Sequence, residues 1–137
     1  MGTNTTGSDA RQYEQQVLHF IRRQITYDTF LIGTDASVKV GTLPAGAVIY
    51  DAIVKVSTAF DAGTTNYINV GTAADDNALV DQADLDLTAA EWQSSRRGCD
   101  LTLTEDTPIY VTYDQSGTAA TAGVAEIIVA YIPDNDL

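Results

Sequence analysis

The chain has 137 residues, enough for one domain with a core of its own, and 45% of its residues are hydrophobic. Its formal net charge is −12 with only seven Lys and Arg, which argues against nucleic acid and anionic membranes as partners. The one cysteine, Cys99, excludes an intrachain disulfide framework.

The first 25 residues are predicted to be a flexible N-terminal arm or lead-in segment, and residues 26–137 a single β domain. Residues 1–12 are polar and have no apolar periodicity. The next segment, 13–27, fits helical and strand spacing equally well. We expect a short helix or an extended lead-in up to about Phe20, followed by a strand.

A strong β pattern runs from Leu43 to Thr72. Within 47–60 the apolar residues alternate with period two, and we assign Val48, Tyr50, Ala52, Val54, Val56, Thr58 and Phe60 to one face. Asp61-Ala-Gly63-Thr-Thr65 predicts a tight turn in which Gly63 is free to take a positive φ. The sequence therefore predicts a hairpin of two long strands that ends at Gly71, preceded by short strands at 29–32 and 37–40.

An acidic stretch, residues 75–90, follows the second strand and has poor β character; we call it the acidic loop. It is expected to form a short helical turn near 77–82 or an ordered loop. Five aspartates in this stretch could supply oxygen ligands to calcium: Asp75, Asp76, Asp81, Asp84 and Asp86. The EF-hand pattern is absent because the loop has neither its central Gly nor its terminal Glu. The simpler interpretation, a solvated acidic loop, stays beside the calcium hypothesis.

Three more strands are predicted, at 99–103, 107–113 and 124–132. Residues 114–123 would join the last two as a long hairpin loop, and Pro133 ends the final strand because proline cannot continue the ladder. Seven or eight strands separated by turn signals, with little helix, indicate an all-β fold. We expect an antiparallel β-sandwich of jelly-roll type with an irregular N-terminal arm.

The strand pattern carries a recognisable motif: Leu43-Pro-Ala-Gly-Ala47, then Ala59-Phe-Asp-Ala-Gly-Thr-Thr65, then Val70-Gly-Thr72 and Asp75-Asp76. It resembles small structural proteins of tailed bacteriophages, most of all the capsid decoration (cement) proteins. That resemblance implies a homotrimer that binds the major capsid protein on the capsid surface, assembled in the bacterial cytoplasm. The motif residues are interpreted as fold-forming: Pro44, Gly46, Phe60, Gly63 and Gly71.

The chain shows no combination of residues typical of an enzyme, and no cofactor is expected. His19 is the only histidine, and the common nucleophile, phosphate-binding and zinc motifs are absent. A two-carboxylate glycosidase is disfavoured because a domain of this size has little room for a deep cleft and this one has a single Trp for sugar stacking. Cys99 is best interpreted as a small buried residue.

Two arginine pairs, Arg22-Arg23 and Arg96-Arg97, are candidate contacts for an acidic partner, with pairing to the chain's own aspartates as the alternative. Both faces of 47–60 and of 124–132 are largely apolar, whereas a half-exposed strand normally has a polar outer face. The N-terminal segment, the acidic loop or another subunit is expected to cover the second face. The alternative function is a tail or head-fibre component whose β-sandwich binds a receptor or carbohydrate, which a chain with seven Tyr would suit.

Overall fold

The structure is a computed structural model, and it describes residues 18–29, 37–95 and 101–134. These ranges contain seven β-strands and one short 3-10 turn, Gln82–Asp84, within the acidic stretch. The strands are β1 His19–Thr26, β2 Ser37–Leu43, β3 Val48–Thr58, β4 Thr65–Gly71, β5 Trp92–Ser95, β6 Thr107–Ser116 and β7 Val124–Ile132. No helix in this part of the chain has the length and apolar content needed to span a membrane.

The strands form two antiparallel sheets that face each other. Sheet A has the order β1-β7-β3-β5 and sheet B the order β2-β6-β4. The predicted all-β antiparallel sandwich is therefore confirmed. Successive strands alternate between the sheets, as in a jelly roll, which has eight strands. Sheet B has three strands within the described residues, and the acidic loop runs beside β4 with a single bridge between Val70 and Val80.

The predicted hairpins are wrong. β3 and β4 lie in different sheets, and so do β6 and β7. Period-two alternation identifies a strand but not its partner. It shows which face is apolar, whereas pairing uses backbone N–H and C=O groups that every strand has. The turn after β3 instead lies against the β6–β7 connection, where the Gly63 N–H donates to the Thr118 carbonyl at 2.8 Å.

The face assignment in β3 is correct for one half of the strand only. Ala52, Val54 and Val56 are buried as expected, but Ile49 is buried too, whereas Val48 and Tyr50 point to solvent. The pairing with β7 shifts register between Ile49 and Asp51. Such a bulge sets two residues against one, so the side-chain alternation reverses across it.

The core lies between the inner faces of the two sheets. Sheet A contributes Val54, Ile127 and Val129, and sheet B contributes Ile68 and Val111, all of them fully buried. Burying such side chains contributes roughly 1.5–3 kcal/mol each, so this cluster is the main source of stability. Leu79, Val80 and Leu87 of the acidic loop also belong to it, and the loop is therefore anchored to the core.

Other boundaries differ from those predicted. β1 begins at His19 and pairs with β7, so the described end of the lead-in is part of sheet A. The division into arm and domain stays a prediction, since residues 1–17 lie outside the described ranges.

β5 was not predicted, because Gln93, Ser94 and Ser95 give no apolar alternation. The strand expected at 99–103 is not seen over 101–103, and Cys99 and most of the strand expected at 29–32 lie outside the described ranges.

The motif residues sit where the chain changes sheets. Gly46 has φ +80°, and its N–H donates to the Leu103 carbonyl at 2.7 Å. The Pro44 carbonyl accepts from the Ala47 N–H at 3.1 Å. A side chain on Gly63 would collide with the Thr118 backbone, and one on Gly71 with the Asp75 carbonyl. Gly63 does not take a positive φ, so close approach rather than backbone freedom explains that glycine.

Candidate functional site

The outer face of sheet A is exposed and largely apolar. Among the described residues, five large hydrophobic side chains are exposed, and four of them lie on this face: Trp92 (65% exposed), Phe20 (55%), Val48 (54%) and Tyr50 (46%). Strand alternation places the half-buried Ile53, Ile128 and Ile132 on the same face. We call this surface the sheet A face.

The charges on the sheet A face cancel. Arg22 on β1 forms an ion pair with Glu126 on β7, with Nη2 and Oε1 2.5 Å apart. Lys55 lies opposite Glu126 in the register, and its Nζ is 5.6 Å from the centre of the Trp92 ring. Both carboxylate oxygens of Asp51 accept from the Ser94 hydroxyl at 3.0 Å. Two cations and two carboxylates therefore leave this surface without net charge.

The outer face of sheet B has the opposite character, and we call it the sheet B face. Hydroxyls pair across its strands: Ser37 with Thr112 at 3.0 Å, and Thr65 with Ser116 at 2.5 Å. Asn69 lies opposite Thr112 in the register. The exposed fraction of Tyr67, 37%, is the smallest among the five exposed hydrophobic side chains of the described residues. This face has the polar exterior that an antiparallel sheet normally presents to water.

A shallow groove crosses the sheet B face next to the acidic loop. Two adjoining depressions of about 290 and 420 Å³ share Ser37, Asp76 and Thr112 as lining residues. Tyr110 borders the first, and Asn69, Gln82 and Asp114 border the second. The lining residues carry hydroxyl, amide and carboxylate groups together with two tyrosines, Tyr110 and Tyr113, and groups of these kinds can hydrogen-bond to and stack against a sugar.

The arginine pairs have different outcomes. Arg22 lies on the sheet A face in its ion pair with Glu126. Arg23 points to the opposite side of β1, opposite Ile127 in the register, as strand alternation requires. Only one member of this pair can therefore serve the sheet A face. Arg96 and Arg97 lie outside the described residues.

The aspartates of the acidic loop bond within separate turns. Asp81 accepts from the Ala83 N–H at 2.9 Å and caps the 3-10 turn. The hydroxyl and the N–H of Thr88 hold the pKa of Asp86 below its usual value. Asp75 accepts from the Asn77 N–H at 3.4 Å, and Asp76 from the Asn69 amide at 3.5 Å. In the parts of the chain that the structure describes, no three acidic, histidine or cysteine residues group closely enough to hold a metal.

Two more groups have a shifted pKa, and both shifts have structural causes. The Thr121 hydroxyl, followed by the N–H groups of Ala122 and Thr121, lowers the pKa of Asp61 and ties two connecting loops together. Burial raises the pKa of Tyr113 to about 12, with smaller contributions from the charges of Asp61 and Asp114. The Tyr113 hydroxyl donates to Asn66 at 2.7 Å, and its ring packs against Phe60 in a tilted arrangement with the ring centres 4.9 Å apart. These groups stabilise the end of the sandwich.

The most exposed members of the sheet A face were not predicted from the sequence. Phe20 was placed at an uncertain helix–strand boundary, although alternation backwards from the buried Ile25 assigns it to the outer side with Arg22. Trp92 has polar neighbours in the sequence, and no strand was predicted there. Tyr50 was assigned to the same face as Ala52 and Val54, and no local signal in β3 marks the bulge that turns it outward.

No family model matches the chain, and no curated protein matches it. Among solved structures, it is similar to a chain of the cyanophage Pam1 capsid asymmetric unit, with a TM-score of 0.68, 18% identity and coverage of 85% of this chain and 84% of that one.

Two further capsid structures contain similar chains. For Helicobacter pylori bacteriophage KHP30, described as an acidic stable capsid, the TM-score is 0.59 at 16% identity, covering 86% of this chain and 90% of that one. For the capsid of Ralstonia phage GP4 the TM-score is 0.54 at 18% identity, covering 87% and 86%. This β-sandwich is therefore a fold that occurs in chains of three phage capsids.

Proposed function

We propose that the chain is a structural protein of a phage virion that binds the outer surface of the capsid as a homotrimer and stabilises it. The observation that carries the proposal is the extent of the structural similarity. Three capsid chains match this one over 85–87% of its length, so the shared unit is the whole domain. The sequence motif around Pro44–Gly71 supports the same assignment.

The stabilising mechanism would be non-covalent clamping. A trimer that spans several capsid subunits makes each contact after the first an intramolecular event, so modest contacts add up to tight binding. No chemical step is needed for this role. The shifted groups fit it, because Asp61 and Tyr113 serve to hold loops and core together and do not converge on a cleft. We therefore propose that the chain is not an enzyme and that it joins the particle in the bacterial cytoplasm.

Co-sedimentation with empty capsids of the phage that encodes the chain tests this function. We expect saturable binding to the capsid exterior and a higher temperature of capsid rupture once the chain is bound. Electron microscopy of particles that carry the labelled protein would show whether it binds the capsid or the tail. Failure to bind capsids that lack the chain, at any concentration tested, would overturn the proposal.

The groove on the sheet B face favours one second candidate, a tail or head-fibre component that binds carbohydrate. Its larger depression, about 420 Å³, falls within the range of small-molecule sites. A glycan array tests this candidate, with Asn69→Ala as the variant expected to lose binding. Binding to host cells without binding to capsids would favour this function over decoration.

A further inference from the structure

We propose that a second copy of this chain packs on the sheet A face, so that this face is the subunit contact of the homo-oligomer. The inference deepens the proposed function and rests on it, because the proposed function includes a homotrimer. What carries it is the combination of exposed aromatic residues and zero net charge on one sheet of a strongly acidic chain.

The sheet A face exposes large aromatic side chains. Trp92, Phe20 and Tyr50 are between 46% and 65% exposed and lie on three strands of one sheet. Exposed aromatic residues on a continuous face mark interaction surfaces, since Trp and Tyr are enriched where binding energy is concentrated. The distribution is one-sided, because the sheet B face has only Tyr67 from the same set of described residues.

The part of the chain that the structure describes does not cover the sheet A face. The acidic loop, one of the covers expected from the sequence, packs elsewhere: Val80 bridges to Val70 at the β4 edge of sheet B, and Leu79 and Leu87 are buried in the core. The described residues thus leave the sheet A face open. A cover has to come from another molecule or from residues outside the described ranges.

The distribution of charge favours a second copy as the occupant of the sheet A face. The sheet A face is neutral, so the rest of the chain carries the whole net charge of −12. Two copies repel least when they meet through a neutral face. The sheet A face also has cations, Arg22 and Lys55, and carboxylates, Asp51 and Glu126. These groups can pair across a contact between two copies. A positively charged lattice site would instead attract the acidic surfaces.

The size of the face predicts how tight the contact is. Four strands about 4.8 Å apart and about eight residues long give a flat footprint of roughly 500 Å². Stable interfaces bury about 800 Å² per partner, so we expect an oligomer that dissociates on dilution. Around a three-fold axis the contact is heterologous, which lets the β5 edge with Trp92 and the β1 edge with Phe20 contact different neighbours.

The test compares charge-bearing variants of the two faces in the full chain. Tyr50→Glu and Trp92→Glu place a carboxylate on the sheet A face, and Tyr67→Glu is the matched control on the sheet B face. All three positions are exposed, so each variant is expected to fold, which circular dichroism checks. Light scattering after size exclusion, over a concentration series, reports the oligomeric state, and capsid co-sedimentation is measured separately.

We expect the wild type and Tyr67→Glu to be oligomeric at high concentration, and the sheet A variants to associate at least about tenfold more weakly. A wild type that is monomeric throughout overturns the inference, and capsid binding by that monomer would leave decoration standing. Sheet A variants that stay oligomeric also overturn it. If the sheet A variants stay oligomeric but fail to bind capsids, the capsid lattice is the occupant of the face. If they lose stability at every protein concentration, a segment of the same chain is the occupant.

An oligomer that dissociates in the sheet A variants but never binds capsids supports the inference and removes the proposed function. The two failures are therefore distinguishable.

Discussion

The sheet A face and the sheet B face come from the same architecture and differ in almost every surface property. Both sheets bury an aliphatic inner face against the same core. Outside, sheet A presents aromatic rings and balanced charges, whereas sheet B presents paired hydroxyls and a polar groove. The inner faces are constrained by packing, so they report the fold. The outer faces are free of that constraint, and their difference therefore reports what each side of the molecule meets.

The largest expected effect comes from comparing two phenylalanines, one in the core and one on the sheet A face. Phe60 is 3% exposed in the core, whereas Phe20 is 55% exposed on the sheet A face. Phe60→Ala removes a packed ring and is expected to lower the free energy of unfolding by about 3–5 kcal/mol. Phe20→Ala in dilute protein should stay within about 0.5 kcal/mol. Urea unfolding of both variants measures the difference.

A large loss in Phe20→Ala at high dilution would contradict the comparison, since it would mean that the chain itself covers the sheet A face. A loss of stability that grows with protein concentration would instead support the comparison. That dependence indicates stabilisation by association, because a partner that binds only the folded state raises its stability by mass action.

Tyr113 and Tyr67 give the same comparison for sheet B, at a smaller magnitude. Tyr113→Phe removes the hydroxyl that donates to Asn66 at 2.7 Å, and we expect a cost of about 1 kcal/mol. Asn66 Oδ1 keeps its bond from the Ala62 N–H. Tyr67→Phe is the matched control and should be close to neutral. Unfolding in urea at neutral pH measures both.

The pKa of Tyr113 adds a dependence on alkaline pH. The folded value is raised from 10.0 to about 12, so the neutral phenol is favoured in the folded state. Its contribution to stability is complete below the unfolded pKa and is lost as the pH rises toward the folded one. Tyr113→Phe should therefore lose less stability between those two values than the wild type. Equal losses would show that the phenol does not cause the alkaline dependence.

Asp61 gives a weaker effect with the opposite pH dependence. Its pKa is lowered in the folded state, mainly by the Thr121 hydroxyl. The charged form is favoured on folding, so the stabilisation is present above the unfolded pKa and is lost as the pH falls through the folded value. Asp61→Asn should lower the melting temperature more at neutral pH than in acid. Thr121→Val, which removes the largest cause of the shift, should behave similarly; an unchanged acid profile in both would refute this account.

The sequence predicted the fold class because alternation and turn residues are local signals. Strand β7 has the predicted bounds, and five further strands overlap predicted ones. Strand partners were not predictable: the turn at Asp61–Gly63 bonds to Thr118 and Thr121, more than fifty residues away, rather than closing a hairpin. The sheet A face was foreseen as a second apolar face, but its aromatic members were not. A bulge in β3 decides where Tyr50 points, and a bulge depends on the partner strand.

Calcium gives the smallest expected effect and tests whether the acidic side of sheet B is inert. The loop aspartates bond within separate turns, and calcium needs about six to eight oxygen ligands around one point. We therefore expect the melting temperature to be the same with millimolar calcium, magnesium or chelator. A ligand that binds the folded state raises its stability in proportion to the logarithm of the ligand concentration, so even a weak site would give a graded increase. An increase with calcium alone that is absent in Asp81→Asn would establish a calcium site in the acidic loop. Calcium would then control the charge on the side of the molecule that carries the sheet B face.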